Sequence, residues 1–408
     1  MHFFYNLFIC FAEKLLPLFA IFNSKLKLFV KGRKAVAQQL RDNIRKNDKI
    51  VWFHAASLGE FEQAVPVMEM FKKERPEYKI LVSFFSPSGF ENKKTHPLAD
   101  VIVYLPLDTP KKAKQFLDLA HPEMVFFVKY EIWPNYLKEL KERGIRTFLL
   151  SGAFRENQIY FKSYGSWMRK SLQTFEHFFL QNKQSQELLK SIGFNNTGIS
   201  GDTRFDRVSR QIEYDNKLPF IKEFLQESLC LVAGSTWPED ENYLLDYINK
   251  GPTNVKIIIA PHEIKEDKIN SLQEKLKHKN VRYTQQKENL KEFKVLIIDS
   301  IGLLGRIYSY ADVAYVGGAA GTTGLHNILE PATFGIPIII GSNFSKFPEA
   351  IQLQQLAGLY SVSSAEETAS LLEKFMHDEN FRKNTGMIAG HFINTNTGAT
   401  ETVRSYLF

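Results

Sequence analysis

Residues 311–341, ADVAYVGGAAGTTGLHNILEPATFGIPIIIG, constrain the fold more than any other stretch of this 408-residue chain. Val313–Val316 is a short apolar run, the mark of a strand buried on both faces of a parallel sheet. It breaks at Gly317-Gly318, and Gly321 and Gly324 keep the following loop free of side chains. A helix is expected from about Leu325, with His326, Asn327 and Glu330 in its first turns, Gly335 at its end, and a second buried strand over 336–340. A glycine-lined loop that feeds a helix N-terminus offers unpaired N–H groups and the positive dipole end to an anionic phosphate. Glu330, one turn in, is placed to accept hydrogen bonds from a ribose diol.

The rest of the chain repeats the same alternation. Apolar runs at Lys49–Ala55, 80–84, Val101–Tyr104, Met124–Val128, 147–150 and His177–Leu180 are separated by helical stretches. A second set follows at 229–233, 255–260 and 295–298. Alternation on this scale means an α/β fold with open parallel sheets, and the length suffices for two such domains. In sheets of this kind, ligands sit beyond the strand C-termini. There the first domain places His54, Ser57 and Glu60, then Ser86, Ser88 and Gly89, then Lys129 and Glu131. The second places Ser235 and Thr236, Pro261 and His262, Ile301, Gly302 and Leu303, and the loop from Gly318 to Asn327, Ile328, Leu329 and Glu330. Glu60 opens a helix, where the dipole is expected to hold a carboxylate ionised and ready to take a proton from a hydroxyl. Arg204, in GDTRFD before a polar connector at 211–217, offers a guanidinium to a phosphate, or a partner to Asp202 or Asp206. Asp240-Glu241 follows Pro238 and is expected to be first-turn helix charge, which leaves no acidic pair to hold a divalent ion and points to metal-free chemistry.

At the other end, residues 3–22 are apolar and aromatic but interrupted by Glu13, Lys14 and Pro17, and Lys25, Lys27, Lys31, Arg33 and Lys34 follow. A spanning helix requires about 20 nearly uninterrupted apolar residues. A helix lying in the membrane surface, with lysines against anionic headgroups, accounts for every one of these features. A net charge of +7 suits phosphates or acidic lipids without singling out nucleic acid, and no nucleic-acid partner is expected. Cys10 and Cys230, the two cysteines, form no disulfide framework.

WFHAASLGE, YEIWPN, GDTRFD, GSTWPEDE, DSIGLLGRIYSYADVAYVGG and GLHNILEPATFGIP occur here in an order that resembles the 3-deoxy-D-manno-octulosonic acid (Kdo) transferases of lipopolysaccharide synthesis. The resemblance implies GT-B architecture: two Rossmann-like domains facing across a cleft, preceded by a membrane-associated helix. It implies inverting, metal-independent transfer of Kdo from CMP-Kdo to a lipid A precursor (lipid IVA), by a monotopic protein on the cytoplasmic face of the inner membrane, with no cofactor beyond the donor. Glu60 matches the family's general base, and Glu131 and Arg204 match positions that stabilise the transition state. Residues 261–262, 301–303 and 327–330 match its CMP-binding segments. The arginine common in that family beside Pro261 is absent, since the chain reads Ala260-Pro261-His262-Glu263. The domains expected are 1–34 as membrane helix and basic flank, 35–210 for the acceptor, 211–217 as linker, 218–390 for the CMP-sugar, and 391–408 as a terminal helix packing back on the first domain. The alternatives are a membrane-associated GT-B enzyme using a UDP-sugar, a non-catalytic sugar-nucleotide scaffold, and a dinucleotide oxidoreductase. The last is disfavoured because G-x-G-x-x-G does not follow the first strand.

Overall fold

A computed structural model describes residues 1–285 and 289–408, with Lys25 described by its backbone alone. The chain divides into two units, one formed by 1–207 with 397–408 and the other by 208–396. Among the described residues, each unit is built on a seven-stranded sheet whose pairings are all parallel.

The first sheet comprises β1 (Lys49–Ala55), β2 (Tyr78–Phe84), β3 (Val101–Tyr104), β4 (Met124–Val128), β5 (Arg146–Gly152), β6 (His177–Leu180) and β7 (Thr197–Ile199), in the order β3-β2-β1-β4-β5-β6-β7. Strand order reverses between β1 and β4. The second comprises β8 (Leu229–Thr236), β9 (Val255–Pro261), β10 (Asn280–Arg282), β11 (Val295–Ile297), β12 (Val313–Val316), β13 (Ile338–Gly341) and β14 (Leu359–Val362), in the order β10-β11-β9-β8-β12-β13-β14. Its reversal lies between β8 and β12. The central strands are apolar over most of their length because helices cover both faces; Trp52, Phe53, Phe126, Phe127, Ile258 and Tyr315 have no more than 1% of their surface exposed. The three strands that the sequence pattern does not disclose, β7, β10 and β14, are all edge strands. An edge strand is covered less, so TGI and NVR need no apolar run to form.

The boundary between the units falls at 207/208, and the stretch expected as a linker, 211–217, begins inside a 3-10 turn, Arg210–Glu213, that belongs to the second unit. The helix Glu379–Thr395 stays with the second unit because Ala389, Phe392 and Ile393 are buried. Gly398, with φ at +109°, then turns the chain into the terminal helix Ala399–Leu407, which belongs to the first unit. Asp206 secures this return by accepting from the backbone N–H groups of Gly398 and Thr400, both at 2.6 Å, and from the Thr400 hydroxyl at 2.7 Å. Val403 enters the first unit's core.

The N-terminal helix, His2–Phe19, has two dissimilar faces. Tyr5 donates to Asp108 at 2.8 Å, Asn6 accepts from Asn135 at 2.8 Å, and His2 stacks on Trp167. Phe3, Phe4, Leu7, Phe8 and Phe11 on the other face are each at least 59% exposed. None of the described helices is long and apolar enough to cross a membrane. Lys27, Lys31 and Lys34 face solvent, and the side chain of Lys25 lies outside the described residues. Arg33 departs from the basic flank expected of it. It turns inward, donates to the Phe85 carbonyl at 2.7 Å and lies 3.4 Å from the Phe29 ring centroid, and burial lowers its pKa to about 9.

Candidate active site

Ligands in open α/β sheets bind where the strand order reverses. In the first unit that point lies between the ends of β1 and β4, and it receives Glu60 and Glu131. Glu60 is the third residue of the helix Leu58–Glu74 and is 6% exposed. Its Oε2 accepts from the N–H groups of Ala56 at 2.6 Å and Ser57 at 3.0 Å. Burial, then the nearby charge of Glu131, raises its pKa to about 7, against the lowering effects of Lys129 and the two amides. The sequence-based expectation that the helix dipole keeps this carboxylate simply ionised is therefore corrected. Desolvation outweighs the dipole, and the group is poised at neutral pH.

Glu131 is brought to the same place by a left-handed turn, with Lys129 at φ +61°. The Trp133 indole N–H donates to Glu131 Oε2 at 3.0 Å, and His54 Nε2 lies 3.4 Å from the same oxygen. His54 is fully buried on β1, with Nδ1 2.8 Å from the Ser83 hydroxyl on β2. Sequence reasoning named His54 as a strand-end residue and gave it no role; its position directly before A-x-x-L-G-E was the available signal.

Arg204 is not an unengaged cation. Its backbone N–H, Nε and Nη2 hold Asp202 at 3.0, 2.9 and 2.8 Å. Burial pushes the Asp202 carboxyl upward, but Arg204 outweighs it and the pKa falls below the usual carboxylate range. Asp202 also accepts from Gln63 at 2.9 Å, one turn beyond Glu60 on the same helix. GDTRFD thus braces the Glu60 helix, and Asp202 is an acidic partner of Arg204, as one of the expected readings had it.

In the second unit the reversal lies between β8 and β12, so Ser235 and Thr236 meet Gly317 and Gly318. Gly318 has φ +97°, and a Cβ on Gly317 would lie 2.4 Å from the Ser235 carbonyl oxygen, so the close approach of the two loops requires glycine. The loop is held from beneath by Asp240. Its fully buried carboxylate accepts from Trp237 N–H at 2.9 Å, Gly318 N–H at 2.8 Å, the Tyr315 hydroxyl at 3.0 Å and Ala320 N–H at 3.3 Å. The expectation of mere first-turn charge is corrected here: Asp240 is in the first turn, but it organises the glycine loop. A buried carboxylate needs such donors.

The expected helix from Leu325 also begins later and is shorter, Leu329–Thr333. His326 N–H bonds back to the Gly317 carbonyl at 3.1 Å, and Asn327 Oδ1 accepts from Leu329 N–H at 3.1 Å, so Asn327 serves the helix from outside it. Asn327 Nδ2 then donates to Glu330 Oε1 at 3.2 Å, and Glu330 is half-buried. Ile328 and Leu329 are buried anchors. Pro261 ends β9, and His262 stacks on Trp237 at a centroid distance of 4.7 Å and meets His326 in a tilted contact at 4.3 Å. Burial, reinforced by His262, lowers the His326 pKa to about 4, and burial lowers that of His262 too. Both imidazoles are accordingly neutral near pH 7. Gly302, at φ +92°, and Ile301, 88% exposed, form an open turn, while Leu303 caps the next short helix. A cavity of about 250 Å³ beside these loops is lined by Thr236, Trp237, Glu241, Pro261 and Lys268, among others.

Residues 30–207 match the family model described as 3-deoxy-D-manno-octulosonic-acid transferase (kdotransferase). A 3-deoxy-D-manno-octulosonic acid transferase of Chlamydophila psittaci is 26% identical over 387 residues, covering 86% of this chain and 88% of that protein. One from Aquifex aeolicus is 28% identical over 306 residues, covering 74% and 78%. Among solved structures, a UDP-GlcNAc 2-epimerase from Neisseria meningitidis superposes with a TM-score of 0.60 at 13% identity, over 88% of this chain and 99% of that one; at that identity it speaks for the fold alone. The paired parallel sheets are those of GT-B architecture. With the site motifs in place on that frame and relatives matched along most of their length, the chain is similar to the Kdo transferases, whose family model covers residues 30–207.

Proposed function

We propose that this protein transfers Kdo from CMP-Kdo to a lipid A precursor, lipid IVA, at the cytoplasmic face of the inner membrane, with inversion at the anomeric carbon. The reading rests above all on Glu60, a buried carboxylate titrating at about 7 beside a second carboxylate at a strand-order reversal. In this reading Glu60 takes the proton of the attacking sugar hydroxyl as its oxygen bonds to the anomeric carbon. The bond from that carbon to the phosphate oxygen breaks, and CMP leaves with the electron pair. Glu131 and Arg204 stabilise the charge that develops. The Gly318 loop, Ser235, Thr236 and residues 301–303 supply amides and hydroxyls for the nucleotide, and the neutral Trp237–His262–His326 cluster offers π-faces to its base. The reaction as written calls for no metal or further cofactor.

Glu330 is assigned to the ribose hydroxyls. Charge-assisted hydrogen bonds contribute roughly 1.5–3 kcal/mol, so Glu330→Gln is expected to weaken CMP binding about tenfold or more. Calorimetric titration with CMP checks this, and unchanged affinity would remove Glu330 from the site.

The membrane reading draws support from the two-faced N-terminal helix. Its polar side is spent on Asp108 and Asn135, and its phenylalanine side has no counterpart among the described residues. Deleting residues 1–30 would also expose Asp108, so a gentler change is the better test. Replacing Phe4, Phe8 and Phe11 with Ser keeps the docked face and is expected to move most of the protein out of the floating fraction on anionic vesicles. Flotation equal to the parent's would refute the assignment.

A further inference from the structure

We infer that His54 is a positioning residue that delivers its Nε2–H to Glu131, through a hydrogen-bond chain running Trp52, Ser83, His54, Glu131. The Trp52 indole is a donor only, and it donates to Ser83 Oγ at 2.7 Å in the buried interior. With that lone pair engaged, the Ser83 hydroxyl hydrogen has His54 Nδ1 at 2.8 Å as its near acceptor. The Ser83 carbonyl is farther from Nδ1, at 3.1 Å, and would serve only the opposite tautomer. An Nδ1 that accepts leaves the hydrogen of the neutral imidazole on Nε2, where Glu131 Oε2 stands 3.4 Å away. The Trp133 indole nitrogen lies 3.0 Å from this oxygen and 3.1 Å from Nε2. Once Nε2 carries a hydrogen, the indole hydrogen goes to the carboxylate, the stronger acceptor. Two N–H groups then converge on Oε2 and hold the carboxylate in one orientation, which leaves Oε1 for the reacting sugar.

The groups facing His54 come from each neighbouring element: Trp52 on its own strand, Ser83 on β2, Phe127 on β4, and Glu131 and Trp133 beyond β4. Glu131 and Lys129 act in turn on the neighbouring Glu60 through their charges. His54 never reaches substrate in this scheme; it acts by keeping Glu131 aimed.

The inference rests on the transfer reaction proposed above, and the two fail separately. Wild-type turnover of CMP-Kdo tests the reaction. The tautomer, read from the nitrogen spectrum of histidine-labelled wild-type protein and assigned by comparison with the His54→Gln protein, tests the chain without any substrate. The Nε2–H tautomer is expected, and an Nδ1–H tautomer would overturn the inference. In kinetics, His54→Phe is expected to lower kcat by about 10- to 100-fold, the worth of one charge-assisted hydrogen bond. It should leave the KM for CMP-Kdo nearly unchanged, because the nucleotide is assigned to loops of the other unit. His54→Gln, which keeps an N–H donor near that position, should recover much of the rate. Should His54→Phe fail to fold, Trp133→Phe removes the other donor to the same oxygen and is expected to lower kcat alike. Equal losses of kcat in the Phe and Gln variants would reduce His54 to a core residue and refute the role.

Discussion

Glu60→Gln is expected to lower turnover with saturating CMP-Kdo and acceptor by about 10²–10⁴-fold, the usual cost of removing a general base. The amide keeps an oxygen for the Ala56 and Ser57 N–H groups that now hold Oε2, so the helix start survives the change. CMP affinity should barely move, since the nucleotide is assigned to loops of the other unit. The parent's rate should rise with pH through about 7, because Glu60 must be ionised to accept a proton, and this limb should vanish in the variant. Stability supplies an internal control with a definite sign. The native pKa lies above the 4.5 of an unperturbed glutamate, so the folded state holds the extra proton between those values, and stability falls as pH rises from 4.5 through about 7. Glu60→Gln removes that loss, so the variant should be at least as stable as the parent at pH 8. Turnover within a few-fold of the parent would make Glu60 a helix cap and pass the role to Glu131.

Asp240→Ala is expected to destabilise the unit formed by 208–396 by about 3 kcal/mol or more. Each donor left unsatisfied in the interior costs about 1–3 kcal/mol, and the substitution orphans those of Trp237, Tyr315, Gly318 and Ala320 together. For a unit of this size, about 3 kcal/mol corresponds to a fall of roughly 6–12 °C in Tm. CMP binding should weaken with it, because Asp240 holds Gly318 and Ala320 where the nucleotide loop needs them. Asp240→Asn keeps an acceptor oxygen and should lose distinctly less. Calorimetric melting checks both variants, and an Asp240→Ala melting curve within a degree or two of the parent's would show that Asp240 does not organise the loop.

Much of the architecture was determined by the sequence alone. Strands buried on both faces read as unbroken apolar runs, so β1, β3, β4, β6 and β12 are recovered at their observed bounds. The strands it left hidden, β7, β10 and β14, lie at sheet edges, where burial demands little of the residues. Glu60 and Glu131 were legible individually, as polar residues just past strand ends. Their meeting was not, because strand order is a long-range property: only the placement of β1 beside β4 joins residues 71 positions apart into one site. The same holds for the pKa of Glu60. The sequence shows a helix start and argues for an ionised carboxylate; burial and the second carboxylate, both tertiary, reverse that balance. Asp240 carries the lesson furthest. Beside Pro238 and Glu239 it reads as ordinary first-turn charge, and nothing local distinguishes it from its exposed neighbour Glu239. What sets it apart is a loop some 78 residues away that folds over it, so that four donors find a single carboxylate in a space closed to water.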